Sequence, residues 1–241
     1  MNGETMRLEG IAEHMRPHAR DFAALVRRLG GENVGSLTLF GAIAIGVFDA
    51  ARHTLHSVVE LGTIDLDFLR RLAGEGLGLG KHRIAAPLIM TRAYIAASRD
   101  TFPLEFIEIS QARLTVFGDD PFAGLVFDDV HVRLQCEREL KSMLIGMRQG
   151  LLNAAGRDPQ LATVEAAVAQ GMIRTLRGML WLRGTKSAAP ADQVIAGIEK
   201  LTGRRLDGMR SAASTAGPHG WPQFQSLYRD IESLAETVNG W

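Results

Sequence analysis

The chain has one cysteine, Cys136, in 241 residues. A lone thiol cannot close an intramolecular disulfide, and the charged run Gln135-Cys136-Glu137-Arg138 is no zinc motif, so a reducing compartment is the expectation. No stretch reaches the roughly 18 apolar residues needed to span a bilayer, and residues 1–10 carry no apolar signal-peptide core. We therefore expect a cytoplasmic protein with no membrane partner. Net charge is also lacking: 27 basic side chains balance 27 acidic ones. Without a global field there is no clear nucleic-acid surface, and any anion site must be local. The glycines at 74, 76, 78 and 80 lack both a preceding strand and a Gly-Lys-Ser/Thr ending, which excludes a P-loop and leaves a flexible turn. No Gly-x-Ser-x-Gly elbow is present, and Cys136 has no histidine nearby in sequence, which weighs against a serine or cysteine nucleophile. Internal repeats and low-complexity tracts are absent; 187–190 and 211–220 read as loops.

What is present is a globular composition, 46% hydrophobic and 22% charged, on a chain long enough for one large domain or two small ones. Helical spacing runs over 8–29, with Phe22, Leu25, Val26 and Leu29 on one face, Pro17 kinking or dividing it, and Gly30-Gly31 ending it. Residues 36–40, apolar between Gly35 and Gly41, predict a buried strand that ends in a glycine turn. A second strand is expected over 54–61, with Leu55, Val59 and Leu61 on one face and Thr54, His56, Val58 and Glu60 on the other. Asp65 or Asp67 caps a helix through Leu72. Strands over 84–90 and 102–109, a short helix near 94–98, and an edge strand over 114–118 complete a mixed α/β pattern.

After the Gly118-Asp119-Asp120-Pro121 turn the pattern is helical only. Leu140, Leu144, Met147 and Leu151 mark one helix, and Val164, Val168, Ile173, Leu176 and Leu180 a second. Val194, Ile195, Ile198 and Leu201 mark a third, and Phe224, Leu227, Ile231, Leu234 and Val238 a fourth with Pro222 in its first turn. The fold class is α+β: a mixed α/β domain with a small sheet over 1–127, then an all-α bundle over 128–241.

The strand 37–40 running into Gly41, followed by Gly46 and another strand, resembles the start of the nucleotidyltransferase superfamily. That family has Gly-Ser at the strand end, a further Gly, and two acids one residue apart on the next strand, which hold magnesium. The spacing serves the metal, since Asp-x-Asp on a strand projects both carboxylates from one face toward hard cations. The segment Phe102-Pro103-Leu104-Glu105-Phe106-Ile107-Glu108-Ile109 is similar to a Phe-Pro-Leu-Glu-Phe-Leu-Asp/Glu-Ile segment of predicted bacterial members. Val116 to Pro121 and Leu134 to Leu140 extend the likeness. It implies a nucleotidyltransferase-like domain with a substrate-binding or HEPN-like bundle, and a third acid at Glu105 or Glu108. Three apart on a strand, those two face opposite ways, so only one can point at the site.

The frame is kept and its contents are changed. Ala42 stands where the hydroxyl of Gly-Ser would help hold a phosphate, and Thr54 and His56 stand where the acids would be. Neutral imidazole is a poor magnesium ligand. The expectation is a catalytically degenerate protein that binds a nucleotide or a partner between its two halves, with Gly41, Ala42, Thr54 and His56 as the nucleotide-binding positions. An active enzyme would need Mg²⁺ at a site rebuilt from Asp49, His56, Glu105 or Glu108; the plain reading of Asp49 is a turn residue. Glu60 lies ~13 Å from His56 by strand rise, too far to share one ion. A third possibility is a non-enzymatic interaction protein, as a homodimer or with a protein partner; no Arg-x-x-x-x-His nuclease motif occurs in the helical half. Lys81-His82-Arg83 is the best local cationic cluster and otherwise solvated charge, Arg133, Arg138 and Lys141 with Glu137 and Glu139 interspersed read as an ion-paired surface, and Trp181, Trp221 and Trp241 as packing or interface anchors.

Overall fold

The computed structural model describes residues 6–214 and 219–241. Its contacts form two compact units: the described part of Met1–Arg99 with Glu108–Val126, and Asp100–Ile107 with Phe127–Trp241.

In the first unit, β1 (Val34–Phe40), β2 (His56–Leu61), β3 (Leu88–Met90) and β4 (Arg113–Phe117) form one sheet in the order β3-β2-β1-β4. Strand β1 runs antiparallel to β2 and β4, and β2 runs parallel to β3, so the sheet is mixed. Leu37 and Leu39 of β1 and Val59 and Leu61 of β2 join one core with Ala19, Phe22 and Val26 of α1 (Arg16–Gly30) and Phe68 and Leu72 of α2 (Leu66–Gly74). This alternation is what half-covered strands require. The opposite set is small or polar: Ser36 pairs with Glu60, Thr38 with Val58 and with Thr115, and the two threonine hydroxyls lie 3.2 Å apart.

Local chemistry sets the helix starts. Pro17 lies in the first turn of α1, where a missing N–H costs nothing, and Gly31 ends the helix at a positive φ of 55°. The Asp65 carboxylate accepts the Asp67 N–H (2.8 Å) at the start of α2, and Thr91 Oγ1 accepts the Tyr94 N–H (3.1 Å) at the start of α4 (Arg92–Ala97).

Three expectations are corrected. Residues 74–80 are not a flexible turn, since Gly76–Lys81 form a helix, α3. The strand expected over 84–90 shrinks to Leu88–Met90, with a single bridge from Ile84 to Leu55 ahead of it. The strand expected over 102–109 is a helix, α5 (Pro103–Gln111). Phe102, Leu104 and Phe106 alternate as a strand would, while Leu104 and Ile107 are buried at helical spacing, and over so few residues the two periods cannot be told apart. Pro103 decides for the helix, and a neighbour completes its first turn: the Leu104 N–H donates to the side-chain oxygen of buried Gln135 (2.9 Å).

The second unit packs α6 (Asp129–Asn153), α7 (Asp158–Leu182), α8 (Ala191–Thr202), α9 (Asp207–Ala213) and α10 (Trp221–Asn239) around one apolar core. Helix α9 falls partly in the tract read as loop, because Gly208, Ala212 and Ala213 carry no periodic apolar signal; residues 215–218 of that tract lie outside the described residues. Glycine at 208 is a packing need, since a Cβ there would lie 2.2 Å from the Leu227 backbone nitrogen. Two carboxylates of α7 tie down the approach to α10: Asp158 accepts the Trp221 N–H (3.2 Å), and Glu165, 1% exposed, lies 2.9 Å from His219 Nδ1. Among the described residues no helix is long and apolar enough to cross a membrane.

Candidate functional site

The end of β1 is the geometric focus of the sequence reading. Gly41 has φ of +80° and Gly46 of +74°, and a Cβ on either meets nothing within 4 Å, so backbone conformation rather than space calls for glycine there. The Gly41 N–H donates to the Ala112 carbonyl (2.9 Å), and the Ala44 and Val47 N–H groups close the turn on Gly41 and Ala42. Ala42 packs partly buried against the sheet core.

Across the strand pair, Phe40 lies opposite His56, their rings 5.7 Å apart. His56 is exposed, and Thr54, half-buried, precedes β2 by two residues. Neither brings a carboxylate to this end of the sheet. Asp49 does not replace them. Its Oδ1 accepts the Ala51 N–H (2.9 Å), its own N–H donates to His53 Nδ1 (2.9 Å), and Arg52 lies 3.6 Å from Oδ2. That is an Asx-type turn, the plain reading of the residue.

The acid of β2 stands at the strand's other end. Glu60 is 6% exposed, accepts the Ser36 hydroxyl (3.1 Å) on Oε2 and the Arg92 Nε (3.3 Å) on Oε1, and Arg92 also reaches the Asp119 carboxylate at 3.8 Å. Gly35 leaves room for this pair, since a Cβ there would come within 2.5 Å of Glu60 Oε2. Sequence reasoning missed Ser36 and Arg92. Ser36 was within reach, because the antiparallel register puts it opposite Glu60; no local signal marks Arg92.

Glu105 and Glu108 do not face opposite ways on a strand but lie one helical turn apart on α5. Glu105 is engaged on both oxygens, by the Gln135 side-chain nitrogen (2.8 Å) and by Arg174 Nη1 (3.1 Å). Glu108 is half-buried and has an interaction of its own. Asp49, His56 and Glu105 do not assemble, and no group of three His, Cys, Asp or Glu among the described residues is placed to hold a metal ion. The paired-carboxylate magnesium site of the resembling family therefore does not fit these side chains.

Lys81, His82 and Arg83 are exposed, with the His82 ring stacked on His18 at 4.5 Å. Glu137 is bonded by Arg133 (2.8 Å) and by Lys141, and the Lys141 and Arg133 contacts hold its carboxyl below the usual range. Burial pushes the Cys136 thiol up to about 12, which leaves it unreactive at neutral pH. Phe127 packs edge-on to Trp181 at 6.2 Å and Arg183 covers Trp241 at 4.1 Å, whereas Trp221 is 45% exposed.

A small mixed sheet with a glycine turn after its first strand, joined to a helical unit, has a nucleotidyltransferase-like fold. A spectinomycin adenyltransferase, AAD(9) from Enterococcus faecialis, solved with ATP and spectinomycin, superposes with a TM-score of 0.54 at 8% identity, covering 92% of this chain and 98% of that one. No protein-family model matches the chain, and no curated protein does.

Proposed function

We propose that this is a nucleotidyltransferase-fold protein that has lost metal-dependent transfer and retains nucleotide binding at the β1 glycine turn. One observation carries the reading: the positions that the resemblance aligns with the paired acids are Thr54, two residues ahead of β2, and the exposed His56, and neither carries a carboxylate. The other acids that could rebuild a site have other work. Asp49 holds a turn, Glu60 bonds Ser36 and Arg92, and Glu105 bonds Gln135 and Arg174. The neighbour's ATP supports a nucleotide as the retained ligand. Gly41 and Gly46 give the turn a backbone that other residues adopt only with strain, the glycine-bounded turn that the resemblance places beside the nucleotide.

Titration calorimetry with ATP and with GTP, followed by an assay for nucleotidyl transfer in Mg²⁺, tests the proposal. It expects saturable binding, weakened at least tenfold by Gly41→Val, and no transfer. Magnesium-dependent transfer to any acceptor overturns the degenerate reading, and absence of binding overturns the retained one.

A further inference from the structure

The helical unit holds a cavity of about 240 Å³ between α6 and α10. Its wall on α10 is mainly aromatic, with Gln225 among the rings. Trp221, Phe224 and Tyr228 follow one another at spacings of three and four, which puts them on one helix face. Its wall on α6 consists of Leu151 and Arg148, and Arg229 lies beside the aromatic row.

Three features separate this cavity from a packing defect. First, Trp221 is 45% exposed although it is the largest apolar side chain available; its ring lies parallel to Phe224 (14° between planes, centroids 6.0 Å apart), and its backbone N–H is anchored on Asp158 at the start of the helix. A rigid, exposed indole loses little freedom when a ligand stacks on it. Second, both arginines are exposed and have no acid partner among the described residues; Arg148 spends only its Nε, on the Leu144 carbonyl (3.0 Å). Guanidinium planes stack on flat rings and pair with carboxylate or phosphate oxygens, so two of them beside three aromatic rings select a ligand that is both planar and anionic. Third, the size fits. A cavity of about 150 Å³ accepts the six carbons of benzene, so this one takes a ring system of roughly ten non-hydrogen atoms, the size of a purine or naphthalene.

We propose that the α6–α10 cavity is a second binding site, for a planar aromatic anion of bicyclic size, with the ring against Trp221 and Tyr228 and the anionic group on Arg229 and Arg148. It does not rest on the nucleotide reading of the other unit.

The test uses the full chain carrying Trp181→Phe and Trp241→Phe, which leaves Trp221 as the sole indole, after thermal melts confirm folding. Its emission is titrated with 1-naphthoate, with AMP, and with their uncharged counterparts naphthalene-1-carboxamide and adenosine. At least one anion is expected to shift Trp221 emission saturably and at least tenfold more tightly than its neutral counterpart. Tighter AMP identifies a nucleotide as the source of the ring, and tighter naphthoate an aromatic acid. By calorimetry on the natural sequence, Trp221→Ala and Arg229→Gln should each weaken that ligand about tenfold, and Arg229→Lys should recover part of the loss. The proposal fails if neither anion perturbs Trp221, if charge makes no difference, or if Arg229→Gln binds like the natural protein. Those outcomes leave ATP binding at the β1 turn untouched, whereas loss of ATP binding by Gly41→Val with naphthoate or AMP still quenching Trp221 separates the two sites.

Discussion

Glu60 and Arg92 form a half-shielded ion pair, 3.3 Å apart, in which the Glu60 side chain is 8% exposed and the Arg92 side chain 52%. Burial of one partner alone makes the pair asymmetric. The acid cannot recover its hydration when the cation is removed, while the cation can. Arg92→Ala should therefore lower stability by about 1–2 kcal/mol, the lower end reflecting the solvent that reaches Arg92. Glu60→Gln, which keeps an acceptor for Ser36, should cost less. Urea unfolding of the two variants checks the order, and a larger loss for Glu60→Gln would show that the pair is not organised in this way.

Glycines give a contrast within one chain. At Gly118, φ is +74° and a Cβ would lie 2.1 Å from the Gly35 carbonyl oxygen, so Gly118→Ala should cost more than about 3 kcal/mol or prevent folding. At Gly78 in α3 a Cβ meets nothing within 4 Å, so Gly78→Ala should stabilise the protein by up to about 1 kcal/mol through helix propensity. If residues 76–81 were a turn needing glycine, Gly78→Ala would destabilise; the thermal midpoints decide.

Two carboxylates impose opposite pH trends. Burial pushes the Asp230 carboxyl up to about 6, against the Met209 and Gly208 N–H groups that pull it down. The folded state then binds this proton more tightly than the unfolded chain, so the stability it contributes is full below about pH 4 and is lost as pH rises through 6. Hydrogen bonds from Arg210 and the Leu206 N–H hold Glu199 at about 2, so its contribution is present above about pH 4.5 and is lost as pH falls toward 2. Relative to Asp230→Asn, the natural protein should lose on the order of 1 kcal/mol between pH 4 and 6, after allowance for the solvent reaching Asp230. Parallel stability curves for the two proteins would contradict this.

Gln135 serves two partners, accepting the Leu104 N–H and donating to Glu105. Because Gln135 is 4% exposed, Gln135→Ala should cost about 1–3 kcal/mol by leaving both groups short of a bond. Glu105→Gln should be milder and should leave ATP affinity unchanged, since Glu105 acts here as a structural acceptor. A loss of nucleotide binding in Glu105→Gln with stability intact would return this residue to the site.

These residues also show what sequence patterning can reach. The sheet was legible where a strand is long and bounded by turn chemistry, as at 36–40 between Gly35 and Gly41, or where a carboxylate caps its own helix, as Asp65 does. The fourth bundle helix was equally plain, because Phe224 to Val238 keeps one period over four turns. Helix α5 was not, because Phe102 to Ile109 satisfies both periods and Leu104 is capped by Gln135, 31 positions away. At the candidate site, the reading of Thr54 and His56 as standing in the acid positions rests on the resemblance, whereas the partners of Glu60 include Arg92, which only the folded chain brings near it.

The β1–β2 end is proposed to bind nucleotide without a metal. ATP affinity measured by calorimetry in Mg²⁺ and in EDTA, on the natural protein and on the double variant Thr54→Asp, His56→Asp, tests it most directly. The natural protein should bind ATP within about twofold under both conditions, and the double variant should gain at least a tenfold preference for Mg²⁺, about 1.4 kcal/mol, from its restored carboxylate pair. Tenfold tighter binding in Mg²⁺ by the natural protein itself would contradict the account.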